Sequence, residues 1–113
     1  MSLQRGSLGA DPAPPTGERF RELVRMRNVV VEEIVSSSSP EPVEYVQVQD
    51  EWVIVLEGEA VLEVDGAEVR LARGDWVLLP AATPHRVMMT AAGTRWLAVH
   101  VHIRADSTGN PPV

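Results

Sequence analysis

Short apolar runs separated by glycine and proline turns occupy most of the chain between residues 43 and 103. Each run has the length and composition of a β-strand, and none alternates with the longer helical pattern that parallel βαβ units require. Asp65-Gly66 lies between two such runs and predicts a hairpin turn of type I′. The pattern therefore predicts an all-β antiparallel sandwich or barrel. The expected strands are Val29–Val35, Val43–Val48, Glu51–Leu56, Ala60–Val64, Ala67–Leu71, Trp76–Leu79, His85–Met89 and Thr94–Ile103.

The ends of the chain differ from this central part. Residues 1–16 are rich in glycine and proline, so we expect a flexible arm there, followed by one domain over residues 17–105 and a flexible tail over 106–113. Glu18–Arg27 leaves two possibilities open, because its apolar residues fit a short helical turn and an extended segment equally well.

Composition excludes several classes of function. The chain has 113 residues, a formal net charge of −6 and no cysteine. The negative charge argues against nucleic acid or an anionic membrane surface as a partner, and the lack of cysteine excludes disulfides and zinc–thiolate sites. Neither an apolar membrane-spanning segment nor a signal peptide is visible, so the cytoplasm is the expected location.

Glu51 and His85 are the residues that most suggest chemistry. Each lies at the edge of a predicted strand, and two further strands separate them. A small antiparallel barrel would bring both side chains to its mouth, where a carboxylate and an imidazole can bind one metal ion. Taken singly, each has a simpler explanation, since Glu51 would also suit an exposed strand start and His85 a turn.

The segment Tyr45–Met89 resembles the two sequence motifs of small cupins. Glu51 and Gly58 have the spacing of the first motif, and Gly74, Pro80 and His85 have that of the second. Tyr45 and Gln47 stand where cupins carry two histidines. Ser39, Ala82 and Met89 replace, in that order, the leading glycine, the glycine of the second motif and its asparagine. The resemblance implies a cupin barrel of the RmlC-like type, a double-stranded β-helix or jelly roll.

The resemblance also implies a metal site. Gln47, Glu51 and His85 would be the ligands of a divalent ion such as Fe, Mn, Zn or Ni. An amide oxygen can bind such an ion, whereas a protonated tyrosine is a poor ligand, so Tyr45 is instead a candidate for orienting or protonating a substrate.

His100 and His102 share one face of the last predicted strand, because side chains alternate along a strand. His100 is a second candidate catalytic residue if that face lines the cavity. The opposite row, from Leu97 to Ile103, is fully apolar and is the better candidate for the core, which would turn both histidines outward.

These features predict a small-molecule site built on a divalent metal, in an oxygenase, an isomerase or a lyase. The alternative is a non-catalytic ligand-binding or dimerisation barrel with a vestigial metal site. The resemblance further implies a homodimer. Trp52, Trp76 and Trp96 are expected in the core or at an interface.

Overall fold

The computed structural model of the protein describes residues 3–9 and 11–103, which contain eight β-strands and no helix. The predicted tail at residues 106–113 lies outside the described residues. The all-β prediction is confirmed, and most strand limits agree with the expected ones to within two residues. The strands are β1 (Glu18–Met26), β2 (Val29–Ser36), β3 (Asp50–Glu57), β4 (Glu59–Val64), β5 (Ala67–Ala72), β6 (Trp76–Leu79), β7 (His85–Thr90) and β8 (Thr94–Val101).

The strands form two antiparallel sheets. The larger sheet has the order β1-β2-β8-β3-β6, and the smaller one has the order β5-β4-β7. Side chains alternate between the two faces of each strand, so every second residue points between the sheets. The buried core consists of Ile34, Val53, Val55, Ala60, Leu62, Leu71, Leu79, Trp96 and Ala98.

Two turns show how the sequence specifies this topology. Asp65 and Gly66 have φ values of 49° and 83°, as the predicted type I′ hairpin between β4 and β5 requires. Gly58 joins β3 to β4 at φ +88°, and a Cβ there would lie 2.8 Å from the Cα of Thr94. Only glycine combines this conformation with so close a backbone approach.

The structure decides two local questions. Of the two possibilities for Glu18–Arg27, the extended one is correct, because Glu18–Met26 pairs with β2 along its length. The strand predicted at Val43–Val48 is wrong, since only Tyr45 forms a single bridge, to His85. The edge strands of the large sheet are β1 and β6.

The described part of the N-terminal arm is attached to the outer face of the large sheet through Glu33. The Glu33 carboxylate accepts hydrogen bonds from the backbone N–H of Gly9 and from the guanidinium groups of Arg21 and Arg95. Arg95 also donates to the carbonyl oxygens of Gly9 and Asp11. These contacts connect the arm to β1, β2 and β8, while the mobility of residues 1–16 stays a prediction.

Candidate functional site

A cavity of about 80 Å³ lies between the two sheets, above the hydrophobic core. Carboxylates, imidazoles and a phenol line one part of it, and apolar side chains line the part next to the core, often two residues further along the same strands. The polar lining residues are Glu18, Glu32, Tyr45, Gln47, Glu51, His85 and His100.

Glu51 lies near the centre of this polar side. It points inward from β3, opposite His100 of β8, and is only 7% exposed. No described residue donates a hydrogen bond to its carboxylate. The nearest nitrogen atoms are Nε2 of His85 at 4.0 Å and Nε2 of His100 at 3.9 Å. Burial is the main reason why the pKa of Glu51 is raised, although the two histidines act in the opposite direction.

His85 enters the cavity from the first residue of β7. Its Nδ1 lies 3.1 Å from the carbonyl oxygen of Thr83, which can only accept, so Nδ1 donates to it and Nε2 is directed towards Glu51. The ring stacks on Tyr45 with centroids 5.7 Å apart and planes inclined by 24°. Two backbone hydrogen bonds between Tyr45 and His85 hold this arrangement in register.

His100 faces the cavity, so the expectation that the row from Leu97 to Ile103 forms the core was wrong. Thr94, Trp96, Ala98 and His100 are the buried residues of β8, because β8 pairs with β3 in the register that places His100 beside Glu51. Nε2 of His100 donates to Oε1 of Glu32 at 2.7 Å, and Nδ1 lies 3.3 Å from the amide nitrogen of Gln49. The bond to Glu32 is the main cause of the raised pKa of His100. His102 does not line the cavity, although its ring stacks on that of His100.

Gln47 and Tyr45 lie on a segment that runs beside the start of β7 without forming a strand. Both side chains line the cavity. The backbone carbonyl oxygen of Gln47 accepts a hydrogen bond from the backbone N–H of Ala82. The pKa of Tyr45 is raised, chiefly by burial and then by the negative charges of Glu18, Glu41 and Glu51. Its phenol therefore keeps its proton at neutral pH.

Two carboxylates that line the cavity were not predicted from the sequence. Glu18 and Glu32 lie on β1 and β2, outside the motif region, so no motif spacing indicated them. Glu18 accepts a 2.5 Å hydrogen bond from the Ser36 hydroxyl, which in turn accepts one from Nε1 of Trp96. Burial raises the pKa of Glu18. Inward alternation on β2 could have indicated Glu32, because Ile34 follows it two residues later.

The three expected metal ligands all line the cavity, but they do not form a cluster of the kind that holds metals tightly. Within residues 3–9 and 11–103, no group of three or more His, Asp and Glu side chains is arranged to hold a metal ion. Two atoms that each lie about 2.1 Å from one ion can be at most about 4.2 Å apart. The 4.0 Å between Glu51 and His85 therefore permits a shared ion, whereas Nε2 of His100 is already bonded to Glu32.

Comparisons with known proteins agree with this architecture. A family model described as "Cupin domain" matches residues 33–100. A crystal structure from Ralstonia eutropha JMP134, assigned provisionally as a mannose-6-phosphate isomerase, is 37% identical with a TM-score of 0.77, covering 88% of this chain and 99% of that one.

More distant structures show the same fold. An RmlC-like cupin from Shewanella frigidimarina NCIMB 400 is 19% identical with a TM-score of 0.72, and the match covers 90% of this chain and 96% of that one. The Fe(II) form of HppE is 19% identical with a TM-score of 0.66, and the match covers 74% of this chain and 50% of that one.

No curated protein matches the chain. The part of the chain that the structure describes holds no helix long and apolar enough to cross a membrane. With the family model matching more than half of its residues, the chain belongs to the cupin family.

Proposed function

We propose that the cavity between the sheets binds a small molecule, and that Glu51 and His85 hold a divalent cation there with Gln47 as a third ligand. The Glu51 carboxylate carries this proposal, because it is buried, points into the cavity and has no hydrogen-bond donor among the described residues. A buried carboxylate without a partner is costly, and a cation or a hydrogen-bonding ligand would relieve that cost.

The arrangement of His85 supports the same assignment. The Thr83 carbonyl fixes its tautomer and leaves Nε2 free, which is the usual arrangement of a metal-binding imidazole. Three carboxylates in one cavity also favour a cation. When bound, such an ion would polarise a substrate oxygen and lower the pKa of a bound water.

Tyr45 and His100 are the residues proposed to act on the ligand. Tyr45 keeps its phenolic proton and can donate a hydrogen bond into the cavity, and stacking on His85 fixes the direction of its ring. His100 holds a proton on Nε2 that it shares with Glu32. Together they would orient a ligand and supply a proton to it. These residues do not distinguish an isomerase from an oxygenase or a lyase.

Metal content tests the proposal. Protein purified without a nickel column should contain Fe, Mn, Zn or Ni by elemental analysis, or should bind one of them at micromolar concentration in a calorimetric titration. Glu51→Ala and His85→Ala should each weaken that binding by at least tenfold. His102→Ala is the matched control, because His102 lies outside the cavity, and it should leave the affinity unchanged. Wild-type protein that binds none of the four metals would refute the cation site.

A second candidate is proton transfer without a metal, carried out by His100 and Tyr45. The 2.7 Å contact between His100 and Glu32 favours it, since it withdraws Nε2 from metal binding and gives His100 a carboxylate partner. Metal-free protein whose ligand binding depends on His100 and not on added metal would support this candidate over the first.

We also propose that the partner is a second copy of the chain. The outward face of the large sheet is apolar across β2, β8, β3 and β6, and Trp76 there is 59% exposed beside Trp52. The apolar part of this face, which excludes the Glu33–Arg95 ion pair, is complementary to itself, and an interface of ordinary size needs about 800 Å² per partner. Trp76→Asp should halve the mass measured by light scattering, whereas Met88→Asp on β7 should not. A monomeric wild type would refute the dimer. The face consists of Val29, Val31, Trp52, Ile54, Trp76, Leu78, Leu97, Val99 and Val101.

A further inference from the structure

The charges that line the cavity point to the class of its ligand. Glu18, Glu32 and Glu51 contribute three carboxylates, and none of the described residues lining the cavity is an arginine. The chain has no lysine at all. We propose that the ligand is a small molecule with an apolar body and a hydroxyl or amine head, without a phosphate or carboxylate group. This inference rests on the proposed small-molecule site in the same cavity, and it applies to the cavity without a bound cation, because a cation held by Glu51 and His85 would offset the carboxylate charges.

The head group follows from Glu51. When no cation is bound, its carboxylate is nine-tenths buried, aimed into the cavity and without a donor among the described residues, so a hydrogen-bond donor or a positive charge on the ligand would complete its bonding. A hydroxyl or an ammonium group supplies both the hydrogen and the correct polarity. An anionic head group would instead face three carboxylates.

Five of the ten arginines form ion pairs with glutamates away from the cavity. Arg21 and Arg95 bind Glu33 on the outer face of the large sheet, on the far side from the cavity. Three more pair with exposed or half-buried glutamates. Phosphate recognition in proteins depends on guanidinium or ammonium groups or on clustered backbone N–H donors, and the described cavity wall offers no such side chain. The other pairs are Arg25 with Glu22, Arg70 with Glu68 and Arg86 with Glu63.

The apolar wall of the cavity, next to the core, determines the body of the ligand. It is lined by aliphatic and aromatic side chains, with Phe20 half exposed at the mouth. Pockets of this composition bind apolar groups and use their few polar residues to fix orientation. The wall consists of Ile34, Val53, Leu62, Leu79, Val87 and Trp96.

This class of ligand differs from the one suggested by the name of the Ralstonia relative. Mannose 6-phosphate carries a phosphate dianion, which the described cavity would place among carboxylates. We therefore expect this chain to discriminate against phosphorylated sugars, in spite of 37% identity to that protein.

A matched set of probes tests the proposal by calorimetry at pH 7. Cyclohexylamine and cyclohexanol should bind at least tenfold more tightly than cyclohexanecarboxylate, which has the same ring and the opposite charge. Mannose 6-phosphate should bind more weakly than mannose. Glu51→Gln should reduce the preference for the amine over the carboxylate at least fivefold. Glu68→Gln, on the surface, should leave it unchanged.

The inference is overturned if the carboxylate or the phosphate binds as tightly as its neutral counterpart, or if neither the amine nor the alcohol binds at 10 mM or below. The series is run on metal-stripped protein, and metal uptake is measured separately. Binding of the amine by protein that takes up no metal would refute the cation site alone. Metal uptake together with tight phosphate binding by the metal-stripped protein would refute the ligand class alone.

Discussion

Glu33 and Glu51 are both almost fully buried, at 2% and 7% exposure, but they lie on opposite faces of the large sheet. The outer one, Glu33, accepts hydrogen bonds from Gly9, Arg21 and Arg95. Burial would raise its pKa, yet these donors together lower it. The inner one, Glu51, has no donor among the residues that the structure describes, and burial raises its pKa.

The contrast separates two uses of one residue type. A buried carboxylate whose oxygens are all bonded holds structure together, because every donor around it would lose a partner if it were removed. A buried carboxylate left without donors costs stability and is retained where a ligand completes its bonding. Glu33 thus belongs to the scaffold that fixes the N-terminal arm, and Glu51 belongs to the proposed site.

The largest expected effect is on the outer carboxylate. Glu33→Ala should lower the free energy of unfolding by about 3 kcal/mol, because it leaves Arg95 largely buried without its counter-charge. Chemical denaturation measures this change. Glu68→Ala is the control, since the Glu68–Arg70 pair is exposed and should contribute about 0.5 kcal/mol or less. Equal effects of the two substitutions would contradict the structural role of Glu33.

The inner carboxylate should respond in the opposite direction. Glu51→Gln should raise the free energy of unfolding of the metal-free protein by about 1 kcal/mol at pH 7, because it removes a buried charge that has no donor. The gain should disappear when a divalent metal saturates the wild type, since binding stabilises the folded state. A Glu51→Gln protein that is less stable than the metal-free wild type would show that the carboxylate is already satisfied.

The sequence could predict Glu51 but not Glu33, and the reason lies in what each contact depends on. Motif spacing indicated Glu51, and the Asp65-Gly66 turn correctly predicted the hairpin that brings β4 beside β5. The environment of Glu33 depends on Gly9 and Arg95, which are 24 and 62 residues away in the chain. No local pattern encodes contacts of that range.

The sequence also could not predict which face of β8 points towards the core. Its two faces are Trp96-Ala98-His100 and Leu97-Val99-Val101, and the second is the more apolar. The first nevertheless faces the core. The second lies on the outer face of the large sheet, together with Trp52 and Trp76. A strand with two apolar faces does not specify which one is inward, since a shift of one residue in register exchanges them.

The smallest effect, and the one that tests the comparison most closely, is the dependence of stability on pH. Both glutamates have an unfolded-state pKa near 4.5, the ordinary value for a glutamate side chain. The folded-state pKa of Glu33 is lower, so its stabilisation is present above pH 4.5 and is lost as the pH falls through the folded value. The folded-state pKa of Glu51 is higher. The stability that the folded protein gains from a protonated Glu51 is therefore fully present below pH 4.5 and is lost as the pH rises through the folded-state pKa.

Glutamine variants of the two positions should therefore diverge from the wild type at neutral pH and in opposite directions. The wild type should be more stable than Glu33→Gln at pH 7 and should lose that advantage on acidification below pH 4.5, as Glu33 takes up its proton. The metal-free wild type should be less stable than Glu51→Gln at pH 7, and the deficit should close as the pH falls to 4.5. Denaturation curves between pH 3 and pH 7 measure both differences. Slopes of the same sign would mean that the two carboxylates have similar surroundings, and the distinction between scaffold and site would fail.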